Sequence, residues 1–428
     1  MKYIITTLGC KVNQYETQAM ETLLRAHGHT PAGEGEKADA VIINTCAVTA
    51  ESGRKSRQAV RALMAENPGA VSAVCGCYSQ IAPDAAQKLG ADIVYGSGDR
   101  AKLVADVEAA VENGGGARNV DKPFERRLFE ELPAGTFAGR TRAMLKIQDG
   151  CANFCTYCII PYTRGRLRSL PLADAAAAAA KLDGEGYREL VVTGIEIASY
   201  GVDLPGRPGL ADVIAAIADA APNMRIRLGS LEPTVITEDF CRTLADTGRV
   251  CRHFHLSLQS GCDNVLRGMN RKYLTDEFFE KTRLLRRYFP GCALTADLIT
   301  GFPGESDDDQ RQTLAFLEKC AFSKVHIFPY SRRPGTPADK MDGQLSHAVK
   351  AARAKEAGEA AERTRRAFLD SSVGQILPVL FETAEGDVWQ GHSDTYILTR
   401  ARGENLRGLV KSVKITGVDG ENLVGEIV

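Results

Sequence analysis

Arg142-Ala-Met-Leu-Lys-Ile-Gln148-Asp-Gly-Cys151-Ala-Asn-Phe-Cys155-Thr-Tyr-Cys158 joins an apolar, strand-like run to three cysteines spaced C-x₃-C-x₂-C. The apolar run followed by glycine reads as a strand that stops where the cysteines begin. Five more strand candidates follow, at Leu190–Thr193, Arg225–Leu228, His253–Leu258, Ala293–Ile299 and Lys324–Pro329. Helical patterns lie between them, at Ala173–Leu182, Ala211–Ala220, Asp239–Asp246, Asp276–Tyr288 and Asp308–Cys320. Six β/α repeats predict a partial barrel of the TIM type. Such barrels build their sites at the C-terminal strand ends, which is where the cysteine loop falls.

Working outward, residues 1–113 alternate strand and helix patterns: Lys2–Thr7, Glu16–Ala26, Ala40–Asn44, Ser52–Glu66, Val71–Val74, Asp92–Tyr95 and Leu103–Val111. That alternation predicts an open parallel α/β sheet domain. Asn113-Gly-Gly-Gly116 opens a glycine-rich, charged stretch, read as a linker over 114–139. The barrel domain, with a trailing basic helix around Lys350–Phe368, is assigned 140–370. Short β-rich runs at Gln375–Glu382, Thr395–Thr399, Gly408–Ile415 and Asn422–Val428 predict a small antiparallel β-barrel over 371–428.

A chain of 428 residues with 44 % hydrophobic and 25 % charged residues is ordinary for two or three globular domains. Its formal net charge of −1 neither predicts nor excludes a nucleic-acid partner. No run of about eighteen apolar residues suggests a membrane span, and the first ten residues lack signal-peptide character. A cytoplasmic protein with no membrane partner is expected. Thiols stay reduced there, so twelve cysteines point to metal or catalysis rather than disulfides.

Cys151, Cys155 and Cys158 supply three thiolates, one short of a closed zinc site or a fully ligated cluster. A 4Fe-4S cluster on three cysteines leaves one iron open to a small molecule; a zinc ion completed by a His or distant Cys is the alternative. Cys10, Cys46 and Cys77 each stand at or just past the end of a predicted strand of the first domain. In an open parallel sheet that edge forms a ligand crevice, so the three thiols can converge, again one ligand short. Three buried cysteines would show the same spacing. Cys75 competes with Cys77, since in a continuing strand both share a face. Cys241, Cys251, Cys262, Cys292 and Cys320 have no paired spacing and read as core.

The run Cys151-Ala-Asn-Phe-Cys155-Thr-Tyr-Cys158 resembles the cluster motif of radical S-adenosylmethionine (SAM) enzymes. Thr7-Leu-Gly-Cys10-Lys-Val-Asn-Gln14, Asn44-Thr-Cys46-Ala-Val48 and Gly76-Cys77-Tyr78 resemble the cysteine motifs of the methylthiotransferases within that superfamily. His255-Leu-Ser257-Leu-Gln259-Ser-Gly261 and Tyr330-Ser-Arg332-Arg333-Pro-Gly-Thr336 extend the likeness along the chain. The resemblance implies two 4Fe-4S clusters, on Cys151, Cys155, Cys158 and on Cys10, Cys46, Cys77, and favours Cys77 over Cys75. It implies SAM as both methyl donor and radical source, with no side-chain acid or base. Tyr157, Gly194, Glu196, Ser257, Gln259 and Gly301 become cofactor-binding candidates, although Glu196 departs from the residue usual there. The C-terminal barrel becomes the RNA-binding domain called TRAM.

Lys11-Val12 and the paired Arg332-Arg333 resemble the subgroup that methylthiolates carbon 2 of N6-threonylcarbamoyladenosine at position 37 of tRNA. Sister groups act on isopentenyladenosine in tRNA or on an aspartate of a small-subunit ribosomal protein. An iron–sulfur electron carrier or RNA-binding scaffold is the non-enzyme alternative, but an electron carrier would not need two incompletely ligated clusters. The implied partners are tRNA, a reducing electron donor such as flavodoxin or ferredoxin, and an unnamed sulfur source.

Charge is uneven in one place. Arg140, Arg142, Lys146, Arg164, Arg166 and Arg168 bracket the cluster loop, with Asp149 the lone acid. Arg164, Arg166 and Arg168 are therefore RNA-binding candidates, and Arg332 and Arg333 are taken with them. The tail from Ser372 holds five basic and eight acidic residues, so RNA contact there would fall to Trp389, Tyr396 or His392 unless these fill the barrel core.

Overall fold

The computed structural model describes residues 1–133 and 141–428. Arg140 and the 139/140 domain boundary lie outside the described residues. By compactness the chain forms two units. One holds the described residues of Met1–Phe137 with Gln148–Leu170 and Ser331–Asp339; the other holds those of Ala138–Ile147 with Pro171–Tyr330 and Lys340–Val428.

The first unit is built on six parallel strands, β1 (Lys2–Thr7), β2 (Thr30–Pro31), β3 (Ala40–Thr45), β4 (Val71–Gly76), β5 (Ile93–Tyr95) and β6 (Ala117–Asn119), in the order β2-β1-β3-β4-β5-β6. Its helices are α1 (Lys11–Ala26), α2 (Ala50–Glu66), α3 (Cys77–Ile81), α4 (Pro83–Gln87) and α5 (Arg100–Asn113). Strand alternation sends Tyr3, Ile42, Cys75 and Tyr95 into one core with Met20, Leu24, Leu103 and Val107. Val41, Ile43, Val74 and Val94 enter the other with Val60 and Ala86. Both faces are covered, so β3 is buried along its whole length. The stretch read as a linker contributes β6, which pairs with β5 through Ile93–Ala117 and Tyr95–Asn119.

The strand β7 (Ala143–Asp149) leads into the cysteine loop; its last two residues, with helix α6 (Ile160–Arg164) and strand β8 (Arg168–Ser169), belong to the first unit. Gln148 and Asp149 pair antiparallel with Ser169 and Arg168.

The second unit carries the β/α succession: α7 (Leu172–Gly184), β9 (Glu189–Gly194), α8 (Leu210–Ala220), β10 (Arg225–Leu228), β11 (Ser230–Leu231), α9 (Glu238–Asp246), β12 (His253–Gln259), α10 (Asp263–Gly268), α11 (Thr275–Tyr288), β13 (Ala293–Thr300), α12 (Asp307–Cys320) and β14 (Lys324–Pro329). The strands run in the orders β10-β9-β7 and β11-β12-β13-β14, and only Gly229 separates β10 from β11. This is the expected partial barrel.

The 26-residue helix α13 (His347–Ser372) precedes a closed barrel of β15 (Ile376–Glu385), β16 (Val388–Ser393), β17 (Leu398–Arg402), β18 (Val410–Asp419) and β19 (Asn422–Ile427). Leu377, Val379, Phe381, Val413, Ile415 and Leu423 fill it, with Leu369 of α13. One seam, β17 to β19, is parallel rather than antiparallel. The barrel rests on Glu189, a fully buried carboxylate held by Arg227 at 2.7 Å and Arg225 at 2.6 Å. The other donors of these arginines reach the carbonyls of Pro378, His392, Ser393 and Asp394, at 2.8 to 3.0 Å. Tyr396 stacks 4.8 Å from His392 and 4.9 Å from His253, with Arg227 over its ring. Trp389 packs against the barrel core. All three aromatics are half-buried and take part in packing. Among the described residues no helix is long and apolar enough to cross a membrane.

Candidate cluster and cofactor sites

All six motif cysteines lie in the first unit. Cys10 caps the N-terminus of α1, Cys46 follows the last residue of β3, and Cys77 opens α3 directly after β4. The chain must turn sharply at each strand end to leave a thiol at the sheet edge. Gly76 does this with φ of 102°, where a side chain would collide with the Thr45 carbonyl. Gly9, with φ of 107°, packs so closely on Cys46 that a Cβ would sit 2.9 Å from its Sγ. The turn at Gly76 also separates the two competing cysteines. The strand does not continue through Cys77, so Cys75 packs into the core with Ile42 and Tyr95 while Cys77 stands on the opposite face.

The thiols of Cys10 and Cys46 both lie within electrostatic range of Cys77. Burial raises the proton affinity of Cys46, while hydrogen bonds from the Val48 and Ala47 backbone and from Ser52 favour its thiolate. Such donors suit a sulfur that ligates iron. Among the described residues no three His, Cys, Asp or Glu side chains are drawn together tightly enough to chelate one ion. A cubane takes its thiolates at separate iron corners and so suits a wider triangle of soft donors.

Asn13 braces this edge. Its amide nitrogen donates to the carbonyls of Leu8 (2.8 Å) and Thr45 (3.0 Å), fixing the turns that carry Cys10 and Cys46. Its amide oxygen accepts from Arg164 Nη2 at 2.8 Å. Arg164 also pairs with Glu16, fully buried, and with Asp149 at 3.4 Å; Arg100 meets Glu16 from the other side at 3.0 Å. Burial alone would weaken Arg164's hold on its proton, but Glu16 raises it well above the usual value.

The second cysteine set belongs to the same unit. The Cys151 amide donates to the Gly165 carbonyl at 3.1 Å and the Cys158 amide to that of Cys155 at 3.0 Å. Cys155 is buried; Cys151, Tyr157 and Cys158 are half-buried. Three soft donors on a loop already folded by its own backbone fit a three-cysteine cluster.

Arg164 and Arg168 correct an expectation. Neither faces solvent: Arg164 is consumed by Glu16, Asp149 and Asn13, and Arg168 by Asp149 and the carbonyls of Arg164 and Arg166. Their charge is structural. Arg166 is exposed and donates to the Phe124 carbonyl, and Arg332 is tied to Asp339 at 2.6 Å. Arg333 is buried without a carboxylate among the described residues.

The cofactor candidates of the second unit fall at or just past strand ends. Gly194 ends β9, Glu196 follows it, Ser257 and Gln259 end β12, and Gly301 follows β13. Glu196 accepts from the Ala198 amide at 3.0 Å and from Ser199; burial raises its proton affinity and Arg271 opposes. Arg271 donates to the Ser257 carbonyl at 3.2 Å and pairs with Glu232 at 2.5 Å. Gly301, at φ 73°, donates its amide to Glu305 at 2.9 Å. Sequence reasoning missed Glu232 and Arg271, which lie in no motif and join the group only through the fold.

Comparisons agree with this architecture. Residues 145–317 match the Radical SAM superfamily and residues 2–96 match the Uncharacterized protein family UPF0004. The chain is 36 % identical to the threonylcarbamoyladenosine tRNA methylthiotransferase MtaB of Bacillus subtilis (strain 168), over 96 % of this chain and 92 % of that one. It is 37 % identical to the MtaB of Chlamydia pneumoniae, over 99 % and 97 %. It is 32 % identical to a tRNA-2-methylthio-N(6)-dimethylallyladenosine synthase of Pelotomaculum thermopropionicum, over 99 % and 97 %. Among solved structures, the radical SAM methyltransferase TsrM of Kitasatospora setae superposes with a TM-score of 0.59 at 16 % identity, over 79 % of this chain and 76 % of that one, a likeness of fold.

Proposed function

The chain belongs to the radical SAM tRNA methylthiotransferases, sulfur-transferring enzymes that use SAM and a 4Fe-4S cluster, and we propose that it acts on N6-threonylcarbamoyladenosine at position 37 of tRNA. The product would carry a methylthio group at carbon 2. The observation that supports this substrate is the greater identity, 36 and 37 %, to relatives named for threonylcarbamoyladenosine than to the dimethylallyladenosine synthase at 32 %.

Carbon 2 of an adenine bears a hydrogen that no side-chain acid or base can activate, so a cofactor radical is the fitting agent. Cys151, Cys155 and Cys158 would hold a 4Fe-4S cluster, which would supply the reducing electron for radical chemistry on SAM. Cys10, Cys46 and Cys77 would hold a second cluster, which would supply the sulfur. Asn13, Arg164 and Glu16 position both cysteine sets, since they tie the Cys10 and Cys46 turns to the segment that follows Cys158. Glu196, Ser257, Gln259, Gly194 and Gly301 are assigned to SAM, with Arg271 and Glu232 holding Glu196 and the Ser257 backbone in place. The reductant is assigned to the flavodoxin or ferredoxin class.

Nucleoside mass spectrometry of tRNA from cells with and without the gene tests the substrate. Loss of the methylthio-threonylcarbamoyl nucleoside is expected; an unchanged level refutes the assignment. The reconstituted protein should hold about eight irons, and replacing Cys151, Cys155 and Cys158 together by Ala should leave about four and abolish 5′-deoxyadenosine. About four irons in the unaltered protein would remove the second cluster.

A further inference from the structure

Six arginines are buried among the described residues: Arg100, Arg164, Arg168, Arg227, Arg333 and Arg353. Five of them face a carboxylate, respectively Glu16, Glu16, Asp149, Glu189 and Glu305. Arg333 does not. It is 9 % exposed, its Nε–H is buried without an acceptor, and no described carboxylate pairs with it. A largely buried guanidinium with no carboxylate and an Nε–H that lacks an acceptor is costly to keep, so its persistence asks what completes it.

Its surroundings lie within the first unit. Ser331 Oγ accepts from the Ala50 amide at 2.9 Å, which seats the segment on the start of α2. One turn along that helix, a Cβ at Gly53 would stand 3.7 Å from Arg57 Nη1 and 3.9 Å from Arg333 Nη1. Arg57 likewise has no carboxylate among the described residues, and it lies 5.7 Å from the centroid of the Tyr78 ring. Burial lowers the proton affinity of Arg333; the Cys46 thiol opposes this and Arg57 adds to it. Two like charges thus share a niche floored by a glycine, beside a cysteine assigned to sulfur transfer. One thiolate cannot satisfy a buried Nε–H together with a second guanidinium, whereas an anion with several oxygens can bridge both forks.

We propose that Arg333 and Arg57 form the receptor for an anionic oxygen group of the RNA substrate. The shared chemistry is a planar or tetrahedral oxyanion, and two parts of the substrate carry it. One is a phosphate of the anticodon loop; the other is the carboxylate of the threonylcarbamoyl group. The proposal rests on tRNA being the substrate, as argued above.

The test uses the full-length reconstituted protein and two anticodon stem–loops, one with N6-threonylcarbamoyladenosine and one with unmodified adenosine. R333Q should weaken binding about ten- to hundred-fold, the scale of a lost charge-assisted hydrogen bond, with iron content unchanged. R333K should recover only part, because it restores the charge without the fork. R57Q should weaken binding in the same direction. Loss on both stem–loops identifies a phosphate; loss on the modified one alone identifies the carboxylate. Affinities within about two-fold of the unaltered protein on both stem–loops would overturn the proposal. So would loss of iron in R333Q and R57Q alike, which would make the pair counter-charges to the cluster. If the unaltered protein binds the modified stem–loop but forms no methylthio product, the substrate assignment fails and the receptor stands. If it forms product and R333Q binds normally, the receptor alone fails.

Discussion

Two groups of arginines in this molecule differ in what surrounds them. Arg225 and Arg227 close on Glu189 and spend their remaining donors on four carbonyls of the C-terminal barrel. Arg57 and Arg333 both approach Gly53, with no carboxylate paired to either among the described residues. In the first pair every guanidinium is complete, so its charge holds architecture. In the second the charge is left for something the chain does not contain. A buried charge is thus informative about function only after its partners are counted.

The largest expected effect lies in the complete pair. Glu189→Ala should destabilise the protein by about 3–5 kcal/mol in urea denaturation, because it leaves two inward-facing guanidiniums unpaired. A cost below about 1 kcal/mol would mean that water or the barrel carbonyls suffice. Glu16→Gln should follow at about 3 kcal/mol, since Arg100 and Arg164 both lose their anion while the shape is kept. Its readout is also local: hydrogen exchange should quicken at the Cys10 and Cys46 turns braced by Asn13.

A pH series sharpens the same contrast. Burial alone would push the Glu189 carboxyl up, but Arg227 and Arg225 hold it well below the usual carboxylate range. A depressed folded value means that stability is present above the ordinary glutamate pKa of about 4.3 and is lost as pH falls below it. The gap in thermal midpoint between the unaltered protein and E189Q should therefore narrow as pH is lowered from 6 toward about 3.5. A gap that stays constant would contradict the ion pair.

The smallest expected effect on stability comes from the incomplete pair. R333Q should change stability by no more than about 1 kcal/mol, and in the favourable direction, since it removes a buried charge that no carboxylate pairs with among the described residues. A loss of about 3 kcal/mol would place Arg333 with the architectural arginines.

The elements were largely legible because strand and helix patterns are local. The six barrel strands and their helices fall within a few residues of where periodicity puts them, and the C-x₃-C-x₂-C loop follows the first strand as read. What was not legible depends on distant parts of the chain. The linker's β6 has weak strand chemistry and exists because β5 offers it an edge. Cys75 and Cys77 share a parity, and only the backbone turn at Gly76 sends them to opposite faces. Arg164 reads as a surface cation beside the cysteines, yet Glu16, far off in sequence, buries it. The parallel seam between β17 and β19 follows from barrel closure, which short β-rich runs do not encode.

The central claim is that this enzyme methylthiolates threonylcarbamoyladenosine in tRNA. It is tested most directly by giving the reduced, reconstituted protein equal amounts of two anticodon stem–loops, one carrying N6-threonylcarbamoyladenosine and one isopentenyladenosine. Mass spectrometry then follows both nucleosides. A methylthio product confined to the threonylcarbamoyl stem–loop is predicted. Product on the isopentenyl stem–loop alone, or on neither while SAM is cleaved, would contradict it.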